Sequence, residues 1–321
     1  MKGWIFLLAA MLLTAALAHL LIPVGPIFEL HRASPETASL LLSQIRLPRT
    51  LLALGYGGVL GMTGAALQAM FGNPLASPDI TGSSSGAALG AVFGSYWLGM
   101  TGPLALAFSG ALGALAALGL VVGLAGRRSD ASVLLLAGVA VSLLAGAATS
   151  LLLALAPSPF AFYDSFDWLM GSFVDRSLPQ AAVALVPAAA SCALLAARAR
   201  PLDLLALGEE VTASLGYDPR RLAIHVIVLT SIAVGACVSV CGAIGFVGLI
   251  APYVARRITR GHPGQALLPA AIIGGILLLL ADLAVRLGPP GRIVPVGIVT
   301  TVLGAPLFIW IVVTMQRRVT S

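Results

Sequence analysis

Asp282 and Arg286 stand one helical turn apart in a stretch that is otherwise apolar. A carboxylate in such surroundings can carry a proton through a membrane, or it can neutralise a cation. The four-residue spacing puts both groups on one helix face, and Asp282 lies toward one end of its apolar run. We therefore read the two as an ion pair. Two further arginines, Arg46 and Arg49, flank Leu47-Pro48 at the start of another long apolar run. Arg46, Arg49 and Arg286 thus all sit at the ends of apolar segments. Residue type leaves two roles open to them: snorkelling at a lipid–water boundary, or forming a basic rim that receives the carboxylates of an acidic partner.

Other reactive chemistry is missing. There is no Walker-type phosphate loop, no HExxH motif and no CxxC pair. Cys192, Cys237 and Cys241 each lie within an apolar run and read as small buried hydrophobes. His19, His31, His225 and His262 are scattered, and a lone histidine is weak evidence for a metal or haem ligand. His19 and His225 fall near the ends of apolar runs, where they read as interfacial or bundle-facing. The chain is expected to catalyse no reaction, to hold no metal and to need no cofactor. A proton-coupled carrier acting alone would place a carboxylate near the midplane of the membrane, and a membrane-embedded enzyme would need a catalytic cluster. Neither is found, so the energy for transport is expected to come from another subunit.

The elements that must position these residues are membrane helices. Of the 321 residues, 59% are hydrophobic and 9% charged, with a mean hydropathy of +1.03. A soluble domain needs far more charged surface. Helices satisfy their own backbone hydrogen bonds in lipid, and one crossing takes about 20 apolar residues. The expected fold is all-α and polytopic, a single domain over residues 1–321 with about ten crossings. These are placed at 3–23, 47–70, 81–99, 103–125, 131–155, 179–198, 223–241, 243–258, 267–287 and 295–315. The eighth is short, and the breaks on either side of it are soft. Residues 1–23 have features of a cleavable leader, but the apolar run continues to Ile22, long enough to span, and is taken as a retained first helix.

All but one of the 18 basic residues are arginine, and the net charge is +6. No basic stripe with interleaved aromatics is present, so no nucleic-acid partner is expected. The distribution instead sets a topology. With the N-terminus in the cytoplasm, one side holds Lys2, Arg127, Arg128, Arg198, Arg200, Arg220, Arg221, Arg256, Arg257, Arg260, Arg317 and Arg318. The other holds Arg32, Arg46, Arg49, Arg176, Arg286 and Arg292. The first set is twice the second, which puts both termini in the cytoplasm. The outer segments are then 24–45, a loop broken by Pro23, Pro26 and Pro35, and 160–177, whose aromatics suit an interfacial belt better than an entry mouth.

Two stretches carry further information. Glycine recurs at 82, 86, 90 and 94, a period that lays a bare stripe along a helix for close packing. The longest cytoplasmic loop, about 198–222, has apolar residues at Leu202, Leu205, Leu207, Val211 and Leu215, too few and too spread for a span. They fit two short amphipathic helices broken near Gly208 and ended near Gly216 and Pro219. Such helices can lie on lipid headgroups or press into a partner.

Several motifs carry a resemblance that extends over nearly the whole chain. They include Arg46-Leu47-Pro48-Arg49, Gly64 with Gln68, Asn73-Pro74-Leu75-Ala76 with Pro78, and Gly86-Ala87. Trp168-Leu169-Met170-Gly171-Ser172, Gly242 to Ile250 with Pro252 and Arg256, Ala281-Asp282 with Arg286, and Val294 to Ile298 follow in order. Together they resemble the FecCD family, the permease subunits of ABC importers for iron chelates, haem and vitamin B12. The resemblance implies a type II importer permease in the bacterial inner membrane. It further implies two permease copies, two ATP-binding subunits and a periplasmic binding protein. Arg46, Arg49 and Arg286 would receive the binding protein's glutamates. Leu207, Gly208, Glu209, Glu210, Leu215 and Gly216 would contact the ATPase, and Asn73 and Leu75 would lie at a gate. Iron chelate is the first expectation for cargo, with vitamin B12 or haem as alternatives. Tyr253 departs from the family pattern, which has histidine there.

Overall fold

The computed structural model describes residues 3–100, 102–126, 131–288 and 294–319. Arg127, Arg128, Arg292 and Lys2, which enter the charge count above, lie outside them. Fifteen α-helices follow one another, and no strand occurs among the described residues. They are α1 (Gly3–Leu21), α2 (Gly25–Ala33), α3 (Pro35–Leu40), α4 (Leu47–Met70), α5 (Ser83–Trp97), α6 (Pro103–Ala125), α7 (Ala131–Ala154) and α8 (Pro159–Leu169). After these come α9 (Leu178–Ala196), α10 (Ala199–Leu205), α11 (Glu209–Ser214), α12 (Pro219–Cys241), α13 (Val247–Ile258), α14 (Leu267–Arg286) and α15 (Val296–Val319). The fold is all-α, as the composition requires.

Among the described residues, seven helical stretches are long and apolar enough to cross a membrane, one of them running from Pro35 to Met70. Of the other three expected crossings, two fall on α5 and α13, with 15 and 12 residues. At 1.5 Å per residue these reach only about 22 and 18 Å, short of the roughly 30 Å of a hydrocarbon core. The third falls on α15, whose apolar part is described from Val296 to Ile309.

The outer segments differ from expectation. Residues 24–45 are not a loop: α2 and α3 occupy them, and a π-helical turn from Leu41 to Arg46 leads straight into α4. Pro23 does lie in the break between α1 and α2, but Pro26 and Pro35 begin helices instead. Proline occupies the first turn of α2, α3 and α8, and Ser34 and Ser158 cap α3 and α8 through their side-chain oxygens.

α4 is the axis of the bundle, buried along most of its length. Glycine makes its contacts possible. A Cβ at Gly57 or Gly61 would collide with the Gly274 or Ala270 carbonyl of α14, and one at Gly64 with the Gly248 carbonyl of α13. The period-four stripe works the same way, since Gly86 and Gly90 meet Gly113 and Ser109 of α6. Between α12 and α13 the helix breaks at Gly242 (φ +76°) and Phe246 (φ +65°). This unwound backbone finds partners inside the protein. Ser172 N–H donates to the Cys241 carbonyl (2.8 Å), and the buried Tyr56 hydroxyl donates to that of Gly242 (3.2 Å). Non-helical backbone in a membrane protein is tolerable only when so satisfied.

Replacing Gly61 with Val forces α4 and α14 apart, at a cost of about 1–3 kcal/mol. The expected result is a clear fall in apparent Tm for the detergent-solubilised protein. Gly119→Ala, on an exposed face with open space around it, leaves Tm unchanged or raises it. Equal behaviour of the two variants would contradict this packing.

Candidate docking and coupling surfaces

At the end of the bundle where α4 begins, three helices are joined by one carboxylate. The Asp282 side chain, on α14, is 1% exposed. Arg49, in the first turn of α4, approaches it as a fork: Nε donates to Oδ2 at 2.7 Å and Nη2 to Oδ1 at 3.0 Å. His19, in the last turn of α1 and fully buried, places Nε2 at 2.7 Å from Oδ2. An ionised carboxylate only accepts, so Nε2 carries the proton and donates. His19 Nδ1 lies 2.8 Å from Thr50 Oγ1 on α4. The pairing expected from spacing, Asp282 with Arg286, is present but long, at 3.8 Å. Arg49, 233 positions away in sequence, is the stronger partner.

Arg46 and Arg286 serve the end of α1. Arg46 Nη1 donates to the carbonyls of Leu20 and Leu21 (3.1 and 2.8 Å), and Nη2 to that of Pro23 (2.9 Å). Arg286 Nη1 donates to those of His19 and Ile22 (2.7 and 3.1 Å). The last carbonyls of a helix have no partner within it and carry partial negative charge, so guanidinium caps are favourable there. The three arginines expected to face a partner are thus also engaged inside the chain. Arg46 is 6% exposed, while the side chains of Arg49 and Arg286 remain 15% and 13% exposed. Three guanidinium charges against one carboxylate leave this cluster itself net positive.

The loop at about 198–222 forms two short helices, α10 and α11, with Gly208 (φ +105°) between them and Gly216 (φ +85°) after them. Its anchors are inside: Leu202 is fully buried, and Asp203 Oδ1 accepts from the Gly264 N–H at 2.7 Å, tying α10 to the α13–α14 connection. Thr212 is buried too and donates to the Gly208 carbonyl at 2.8 Å. What remains outside is Leu207, Val211 and Leu215 with Gly208, Glu209, Glu210 and Gly216. This is an apolar ridge with two carboxylates on a braced support. α10 packs on α4, and Leu202 and Leu195 share a core with Met70 at the end of α4. The ridge and the arginine cluster therefore lie at opposite ends of α4, whose 24 residues span about 36 Å.

Asn73 and Leu75 occupy the turn after α4. Asn73 Oδ1 accepts from Leu75 N–H at 2.9 Å, and both residues are exposed. Asp79, in the short 3-10 turn from Pro78 to Thr81, accepts from Ser84 Oγ at 3.4 Å, and its backbone carbonyl accepts from Ser142 Oγ at 3.1 Å. Burial pushes its carboxyl up to about 6. The letters Gly82-Ser83-Ser84-Ser85-Gly86 also match the nucleophile-elbow pattern GxSxG, which needs a preceding strand and a histidine partner. Here the stretch enters α5 from a 3-10 turn, and Ser84 meets Asp79 with no histidine bonded to it. No group of three potential metal ligands occurs among the described residues.

The model of the FecCD transport family matches residues 6–314. The chain belongs to the FecCD family. Within it, the chain is 37% identical over 280 residues to the vitamin B12 import system permease protein BtuC of Citrobacter koseri, covering 85% of this chain and 83% of that one. It is 38% identical over 286 residues to BtuC of Salmonella typhimurium, covering 85% and 84%. It also resembles a solved structure described as an inward-facing conformation of a metal-chelate type ABC transporter. That match has a TM-score of 0.85 and 30% identity, over 98% of this chain and 100% of the other. The FecCD chain described here is thus an ABC importer permease of the type II fold, embedded in the membrane.

His19, Thr50 and the Arg49–Asp282 pairing carried no local sequence signal. If Arg46 holds the end of α1, Arg46→Gln removes charge-assisted bonds worth about 1.5–3 kcal/mol each. Hydrogen exchange of the backbone from 18 to 25 should then rise by about tenfold or more. Unchanged protection there would show that Arg46 is not the clamp.

Proposed function

We propose that this FecCD permease takes a metal chelate from a soluble binding protein on one side of the bacterial inner membrane. It releases the chelate on the other side, driven by ATP hydrolysis on a separate subunit. One observation carries the reading: a net positive cluster and a braced apolar ridge stand about 36 Å apart at opposite ends of one buried helix. Carboxylates of a binding protein dock at the arginine end, on the exposed edges of Arg49 and Arg286, while buried Arg46 adds to the field there. The ATPase takes the other end, where Leu207 and Leu215 enter its surface and Glu209 and Glu210 meet its basic groups. Both termini lie on that cytoplasmic side. Two copies of the permease enclose the path, and Asn73 and Leu75 stand at its cytoplasmic gate. This subunit performs no bond chemistry.

An iron chelate is the first cargo. Vitamin B12 is the second reading, and the BtuC relatives favour it at least as strongly. Proteoliposomes holding the permease, its ATPase and its binding protein should accumulate one of the two, ferric siderophore or cobalamin, when ATP is supplied. Uptake driven by a proton gradient without the ATPase would overturn the proposal.

The coupling ridge is tested separately. Leu207→Glu with Leu215→Glu should abolish copurification of the ATPase, because two buried apolar contacts of about 1.5–3 kcal/mol each become charged. Insertion and Tm of the permease should hold, since both side chains are exposed. Retention of a fully stimulated ATPase would refute the assignment.

A further inference from the structure

A cavity of about 460 Å³ lies at the opposite end of the bundle from the Asp282 cluster, lined by Trp4, Ile258, Thr259, Arg260, His262 and Gln265. Its position follows from the register of two helices. α1 and α14 pack side by side, and His19 meets Asp282 near their ends. Roughly fifteen residues earlier on each, about 22 Å away, stand Trp4 in the first turn of α1 and Leu267 at the start of α14. Both residues open an apolar span, so the cavity sits where the bilayer meets water. An indole at that depth is a common interfacial anchor.

The turn that shapes the cavity is costly for the residue it holds. α13 ends in a left-handed cap: Gly261 N–H donates to the Arg256 carbonyl at 2.9 Å, and Arg260 takes the intervening position with φ +53°. Glycine is the usual occupant of that position, because a Cβ there crowds the following carbonyl. Here it carries an arginine whose guanidinium, like the His262 ring, has no partner among the described residues. The turn is otherwise tied down. Thr259 Oγ1 bonds the Ala255 carbonyl at 3.1 Å, and the carboxylate that reaches the connection, Asp203, is committed to the Gly264 amide. One turn earlier, Arg256 buries Nε and Nη2 without partners, adding uncompensated positive charge.

We propose that this cavity binds the phosphate headgroup of an anionic phospholipid. Arg260 and His262 hold the phosphate, Gln265 reaches the headgroup hydroxyls, and Trp4 packs on the upper acyl region. Arginine at a position that suits glycine is explained if its side chain is needed in the cavity. A basic recess between the ends of membrane helices is the setting in which such headgroups are held.

The test uses the full chain in detergent with three probes: dioleoylphosphatidylglycerol, dioleoylphosphatidylcholine and inorganic phosphate. Lipid retention is read by native mass spectrometry and stability by Tm. The wild type should retain phosphatidylglycerol in preference to phosphatidylcholine and gain Tm from it, with no gain from free phosphate. Arg260→Gly relieves the backbone and so keeps or raises the lipid-free Tm, yet it should weaken phosphatidylglycerol binding by about tenfold, as should His262→Gln. The proposal is overturned if both variants retain phosphatidylglycerol like wild type, or if phosphatidylcholine is held equally well. An equal Tm gain from free phosphate would overturn the lipid as its source.

Discussion

The Asp282 carboxylate is the constraint on which one end of this bundle depends. It is buried, and a buried charge is tolerable only when it is paired and hydrogen-bonded. Arg49 and His19 meet that need, and in doing so they bring α4 and α1 against α14. The same cluster leaves Arg46 and Arg286 to cap the carbonyls at the end of α1. Three helices far apart in sequence therefore end in one polar knot. An ion pair of this kind specifies which helices are neighbours more than it adds to their stability.

Glycine makes the knot reachable. Arg49 and Asp282 sit on helices that touch backbone to backbone at Gly57, Gly61 and Gly274. Wider spacing would leave a fork from Arg49 too short to close on Asp282. In lipid there is little hydrophobic drive between helices, so close backbone approach and interhelical polar contacts must carry their association. Here both act on the same pair. The rigid unit so formed extends from the arginine cluster to the base of α10, which suits a subunit worked from one end and loaded at the other.

Much of this was legible in the residues. Composition required membrane helices, the glycine period marked a packing face, and Gly208 divided the 198–222 segment where the backbone turns left-handed. The FecCD motifs pointed to the family whose model matches residues 6–314. The misses have physical causes. Prolines at 26 and 35 were read as loop breakers, yet in the first helical turn a missing N–H costs nothing, and α2 and α3 begin there. Apolar content alone also gave no sign that the helices at the third and eighth expected crossings, α5 and α13, have only 15 and 12 residues. Pairing across 233 residues has no local trace, so the sequence showed Asp282 with its neighbour Arg286 and hid Arg49. His19, near a span end, was open to either an interfacial or a bundle-facing reading, and the packing of α1 on α14 decides for the second.

The central claim is that Arg49 and Asp282 act as one unit joining α4 to α14. A double-mutant cycle on apparent Tm tests it most directly, with Arg49→Ala, Asp282→Ala and the two combined. Either single change strands a buried charge, so each should lower stability by about 3 kcal/mol or more, while the double variant should cost little beyond either alone. Additive losses, with the double variant falling by the sum of the singles, would contradict the account.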